Sequence, residues 1–101
     1  MEINITQQNG VTTVLLAGRL DTPASLEATQ ALQGVIDKPG QEVVLDCKEL
    51  SYISSSGLRI FLTIRKAASA AGGKVIVRGM NADIRQVFMM TGFLNLFVIE
   101  A

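Results

Sequence analysis

Three consecutive serines, Ser54-Ser55-Ser56, stand directly before Gly57-Leu58 and a long amphipathic run, and they are the residues of this chain best placed to do chemistry. A helix start can use one side-chain oxygen to satisfy one of its unpaired amides. Two of the three hydroxyls exceed that need. In the bland assignment Ser54 or Ser55 caps the helix, Ser56 sits in its first turn, and Gly57 allows close packing on a sheet. The chemical assignment uses the same geometry. A hydroxyl at a helix N-terminus lies among unpaired N–H groups in a positive dipole potential, where a phosphate is favoured. A phosphoserine carries a charge of about −1.5 to −2, and a partner docked over it would have to pair or desolvate that charge. Such an arrangement works as an on/off switch.

Catalysis by these hydroxyls lacks a base. The sequence contains no histidine, and no Gly-x-Ser-x-Gly surrounds the serines. No lysine is identified as desolvated and able to take the serine proton, so a serine hydrolase is not expected. Cys47 is the only cysteine, which excludes an intramolecular disulfide and any multi-cysteine metal site. No cofactor or metal is expected. Nine Lys/Arg balance nine Asp/Glu, and the basic residues are scattered from Arg19 to Arg85. Phosphate neutralisation needs clustered positive charge, so nucleic acid is not an expected partner. No apolar stretch approaches the roughly 20 residues that span a bilayer, and Met1-Glu2-Ile3-Asn4 lacks the basic start of a signal peptide. Neither direct membrane insertion nor export is expected, and the reducing cytoplasm fits a lone thiol.

The elements that must position the serines follow from periodicity. The length of 101 residues, 49% of them apolar and 18% charged, suits one domain over residues 1–101. Ile3 and Ile5 alternate with polar residues, Asn9-Gly10 is a type I′ turn pair, and the run from Val11 to Ala17 is rich in β-branched residues. The three together predict a hairpin. After a loop from Gly18 to Thr22, Thr22-Pro23 reads as an N-cap and a first helical residue. Ala28, Leu32, Val35 and Ile36 form the stripe of that helix, which Pro39-Gly40 ends. Val43-Val44-Leu45 predicts an interior strand ending at Asp46-Cys47, followed by a loop from Lys48 to Ser54. The segment from Ser56 to Ala71 predicts an amphipathic helix, and Gly72-Gly73 ends it. Lys74 to Arg78 reads as a strand. Asn81 caps a third helix bearing Ile84, Val87, Phe88 and Thr91, Gly92 closes it, and Leu96 to Ile99 forms the last strand. The order β-β-α-β-α-β-α-β predicts an α/β fold. Its sheet should be mixed and mostly parallel, of about five strands, with an antiparallel edge from the hairpin and helices packed mainly on one face.

Gly18-Arg19-Leu20-Asp21, Val44-Leu45-Asp46, Leu50-Ser51-Tyr52-Ile53, Ser55-Ser56-Gly57-Leu58, Gly72-Gly73 and Thr91-Gly92-Phe93 resemble, in order and over nearly the whole chain, the landmarks of STAS domains. The chain is most similar to the freestanding bacterial anti-sigma factor antagonists. That resemblance implies a STAS fold and a protein that binds an anti-sigma factor of the GHKL serine kinase type, thereby releasing sigma factor. It implies phosphorylation of Ser55 by that kinase, with ATP belonging to the kinase, and reversal by a PP2C-type phosphatase. The family commonly places Asp before the acceptor serine, where this chain has Ser54, so Ser54 and Ser56 stand as alternative acceptors. STAS proteins that are not phosphorylated supply the other reading, an adaptor subunit of an ABC-type lipid transporter or of a signalling assembly.

Around the acceptor, the resemblance implies that Asp21 lies in the partner-binding region, and Thr22, Ser54, Ser56, Gly57, Leu58 and Arg59 are expected to join it. For Asp21 a capping role at the helix beginning at Pro23 is equally open. Asp46 reads as a structural acceptor of loop N–H bonds. Leu58 and Phe61 have the spacing of core residues, while Arg59, Thr63 and Lys66 lie opposite as candidate rim contacts. Met89-Met90 reads as core filling rather than as a sticky surface.

Overall fold

The chain first reverses at Asn9-Gly10, where both residues take positive φ, 54° and 81°. That is the backbone of a type I′ turn, whose twist matches the flanking strands. It joins β1 (Glu2–Gln8) to β2 (Val11–Leu20) in an antiparallel hairpin with Ile3 opposite Leu16 and Ile5 opposite Val14. The computed structural model describes residues 1–100. After the hairpin come α1 (Thr22–Ala31), α2 (Gln33–Asp37), β3 (Glu42–Ile53), α3 (Ser55–Ala70), β4 (Lys74–Arg78), α4 (Ala82–Met90), a 3-10 turn at Phe93–Asn95 and β5 (Val98–Glu100). The five strands lie in the order β1-β2-β3-β4-β5, and every pair after the hairpin is parallel. The expected α/β order and mixed sheet are present.

Strand alternation decides where the helices pack. Val14 and Leu16 on β2, Val43, Leu45 and Cys47 on β3, and Val75 and Val77 on β4 point to one face. There they join Ala28, Leu32, Val35, Phe61, Ile64, Ile84 and Phe88 in one buried cluster. Val44 and Ile76 alternate with these, are buried among their strand neighbours, and lie outside that cluster. All the helices therefore cover the same face, as three successive one-strand steps in one direction require of right-handed crossovers. Cys47 sits inside the cluster. Burial, with the neighbouring Asp46 charge adding to it, pushes its thiol up to about 12, so it is protonated at neutral pH.

Several boundaries differ from the sequence expectations, each for a physical reason. The predicted loops Gly18–Thr22 and Lys48–Ser54 are largely strand. β2 and β3 shift register between Leu15 and Ala17 and again between Gly18 and Arg19, then go on pairing until Leu20 meets Ile53. β4 stops opposite Asp46, so this extension has only β2 beside it and tolerates exposed polar residues. The first helix is broken at Leu32, where ψ is 2°. Gly34, a poor helix former, follows within the short α2. The last strand begins at Val98, because Phe93–Asn95 coils first and Phe97 turns into the core. Met89 and Met90, expected to fill the core, are 61% and 76% exposed. Phe88 and Ile84 take the inward face of α4, leaving both methionines on the outer one.

Candidate functional site

The structure separates the three serines by role. Ser54 is the N-cap of α3: its Oγ accepts the Gly57 N–H at 3.1 Å and donates to the Leu20 carbonyl at 2.9 Å. Its own N–H donates to the same carbonyl at 2.9 Å. With only 9% of its surface exposed, Ser54 is fully committed. Ser55, the first helical residue, is exposed, and among the described residues its hydroxyl has no hydrogen-bond partner. Ser56 is half-buried and faces the groove between α1 and α3. The cap thus leaves the excess hydroxyls to Ser55 and Ser56, with the outward position held by Ser55.

Asp21 rather than Thr22 caps α1. Its Oδ1 accepts the Ala24 N–H at 3.0 Å, which puts Thr22 and Pro23 in the first helical turn and corrects the expected cap. A carboxylate reaches the third-residue amide and also complements the positive helix end, so it prevails over a hydroxyl one residue later. The two helix starts are bonded together through the end of β2. Leu20 receives both bonds from Ser54, the Asp21 carbonyl receives the Ser25 hydroxyl at 2.8 Å, and Ser51 Oγ donates to the Gly18 carbonyl at 2.9 Å. One surface at the C-terminal edge of the sheet therefore carries Asp21, Thr22, Ser55, Ser56 and Arg59, with Ser54 buried beneath it. Asp46 is elsewhere, accepting the Lys48 N–H at 3.1 Å and facing Arg78 at 3.6 Å, in the structural role expected of it.

Gly57 and Leu58 were expected at a partner surface. Both are buried, and Leu58 belongs to the core cluster, so neither brings a side chain outward. Gly57 serves by having none. A Cβ there would lie 2.8 Å from Leu20 Cγ and 2.9 Å from Ile53 Cγ1, both core side chains. Gly57→Ala gains about 1 kcal/mol in helix propensity against about 1–3 kcal/mol of overpacking. We expect a net loss near 1 kcal/mol, read as a fall in Tm of about 4–8 °C by thermal melting; an unchanged or higher Tm would show that α3 is free to move off the sheet.

Two features of this surface escaped the sequence reading. A groove of about 370 Å³ runs between α1 and α3, with Leu26, Thr29, Ile60 and Thr63 along its walls and Thr22, Ser56 and Arg59 nearer the helix starts. Leu26 is 72% exposed, and its signal was a leucine lying off the Ala28–Leu32 stripe. The second is Arg19, whose guanidinium lies 4.4 Å from the centre of the exposed Tyr52 ring, a cation–π contact across β2 and β3. No helix among the described residues is long and apolar enough to cross a membrane.

Known proteins resemble this chain along its whole length. The Bordetella bronchiseptica protein BtrV, named as a candidate anti-sigma factor antagonist, is 29% identical over 98% of this chain and 85% of its own. The anti-sigma F factor antagonist of Paenibacillus polymyxa is 27% identical over 98% of this chain and 86% of its own. Among solved structures, the Bacillus cell-fate determinant SpoIIAA in its phosphorylated form shares the fold. Its TM-score is 0.76 at 19% identity, over 99% of this chain and 92% of that one. The STAS domain itself matches residues 2–101, and the chain belongs to the STAS domain family.

Proposed function

We propose that this chain is an anti-sigma factor antagonist, a single-unit binding protein that sequesters an anti-sigma factor and so releases sigma factor, with Ser55 as its phosphorylation switch. The observation that carries the reading is the division of labour at α3: Ser54 holds the cap, and Ser55 stands beside it exposed and unbonded. Two relatives covering nearly all of this chain carry the name antagonist, one as a candidate, and the phosphorylated form of SpoIIAA has the same fold. The partner is a GHKL-type serine kinase that is itself the anti-sigma factor. Ser55 Oγ attacks the γ-phosphorus of the kinase's ATP, ADP leaves, and the hydroxyl proton is released. A PP2C-type phosphatase hydrolyses the ester back to serine and phosphate. Binding uses the surface of Asp21, Thr22, Ser56 and Arg59 around Ser55, and the phosphate acts by changing its charge, since the helix start accepts an anion without refolding. Incubation with candidate GHKL kinases and ATP, followed by mass-spectrometric localisation, is expected to place one phosphate on Ser55. Modification confined to Ser54 or Ser56, or none by a kinase that binds the chain, would count against the assignment.

A further inference from the structure

We propose that Arg59 is the intramolecular counter-ion of a phosphate on Ser55, so that modification both adds negative charge and withdraws the cation of the α1–α3 groove. The proposal rests on the assignment of Ser55 as the acceptor. From Ser55 to Ala70, α3 contains Arg59, Arg65 and Lys66 but no Asp or Glu. Arg65 is engaged, its Nε donating to the Leu96 carbonyl at 2.6 Å. The ion pairs among the described residues, Lys74–Glu42 and Arg78–Asp46, lie away from the helix start. Arg59 therefore has no acidic partner there, although it borders the groove beside Ser56 and Thr22.

Helix geometry supplies the rest. Residues four apart share a face, and side chains lean toward the N-terminus, so a long side chain at 59 has the reach to turn from the groove back over the turn that begins at 55. A guanidinium offers paired N–H donors to phosphate oxygens. The other charged groups around the helix start do not compete in the same way. Asp21 is held by the Ala24 amide, Arg19 is stacked on Tyr52, and Glu27 on α1 is outside the groove wall. The unmodified protein thus presents Arg59 to a partner's acidic group, and the modified protein uses it internally.

The test installs phosphoserine at position 55 during synthesis, so that no kinase is needed, and follows the phosphate by 31P NMR against pH at low salt. An adjacent cation favours the dianion and lowers its second pKa from the usual value near 6. Arg59→Gln is expected to raise that pKa by about half a unit, Arg59→Lys to recover part of the shift, and Arg19→Gln to leave it in place. The difference should shrink at high salt. Arg59 is exposed, and matching thermal melts of the variants will confirm an intact fold. Superimposable titrations of Arg59→Gln and the parent, or a shift produced by Arg19→Gln instead, would overturn the proposal. Failure of the Ser55 assignment is separable: the kinase experiment would then leave Ser55 unmodified while the titration difference persisted.

Discussion

Phe61→Ala is expected to lower the free energy of unfolding by about 3–5 kcal/mol, several times the effect of an ordinary surface substitution. Phe61 is fully buried on α3 and meets Phe88 edge-on at 5.7 Å and Phe97 at 6.4 Å. It therefore joins three segments that are far apart in sequence: the helix that begins at Ser55, α4, and the approach to β5. Removing the ring forfeits its burial and leaves a cavity between elements held apart by the sheet, which cannot collapse to fill it. Each edge-to-face pair adds about 0.5–1.5 kcal/mol beyond area burial. Against a total stability of about 5–15 kcal/mol for a domain of this size, the variant should be marginal. Urea unfolding, compared through the midpoint at constant slope, measures the loss. A decrease below about 1.5 kcal/mol, the range of a volume-conserving exchange, would mean that the phenylalanine cluster is not packed around Phe61. Phe61→Leu should fall near that lower figure.

The same cluster shows what the sequence alone could and could not specify. Phe61 and Phe88 lie at helical spacing among other apolar residues, so their inward direction follows from periodicity, as does the hairpin at Asn9-Gly10 from its turn chemistry. Periodicity is silent where pairing is non-local. The extension of β3 to Ile53 depends on two register shifts against β2, and those place polar residues such as Lys48 and Glu49 in a strand that no local pattern marks. Met89 and Met90 were misplaced for a related reason: two adjacent apolar residues cannot both be judged inward or outward until the rotation of α4 is fixed by Ile84 and Phe88. At the candidate site, the position of a helix start near the serines was readable, and the choice among the serines was not. That choice rests on the Leu20 carbonyl, thirty-four residues before Ser54, which draws its hydroxyl inward and leaves Ser55 facing out. The groove beside Arg59 needs α1 and α3 side by side, a tertiary fact that no spacing encodes.

Ser55→Asp should weaken binding to the anti-sigma factor by at least about 30-fold, because a carboxylate carried into an interface, even one neighboured by Arg59, must be desolvated there with no matching cation on the partner, at a cost of about 2 kcal/mol or more. Ser55→Ala should bind within about threefold of the parent, since it removes only an exposed hydroxyl with no hydrogen-bond partner among the described residues and leaves the Ser54 cap intact. Isothermal titration or surface plasmon resonance against the purified anti-sigma factor reads both. A loss of fold could imitate the first result, but physical chemistry sets the two observables in opposite directions. An acidic residue in the first turn of a helix whose first turn otherwise has none interacts favourably with the unpaired amides and the macrodipole, by about 0.3–1 kcal/mol. The Ser55→Asp chain should therefore melt at the same temperature as the parent or slightly above it while its affinity falls. If affinity and Tm fell together, the helix start would not be a preformed anion-tolerant surface. If both variants bound like the parent, Ser55 would lie outside the interface and the switch would have to be sought elsewhere on the C-terminal edge of the sheet.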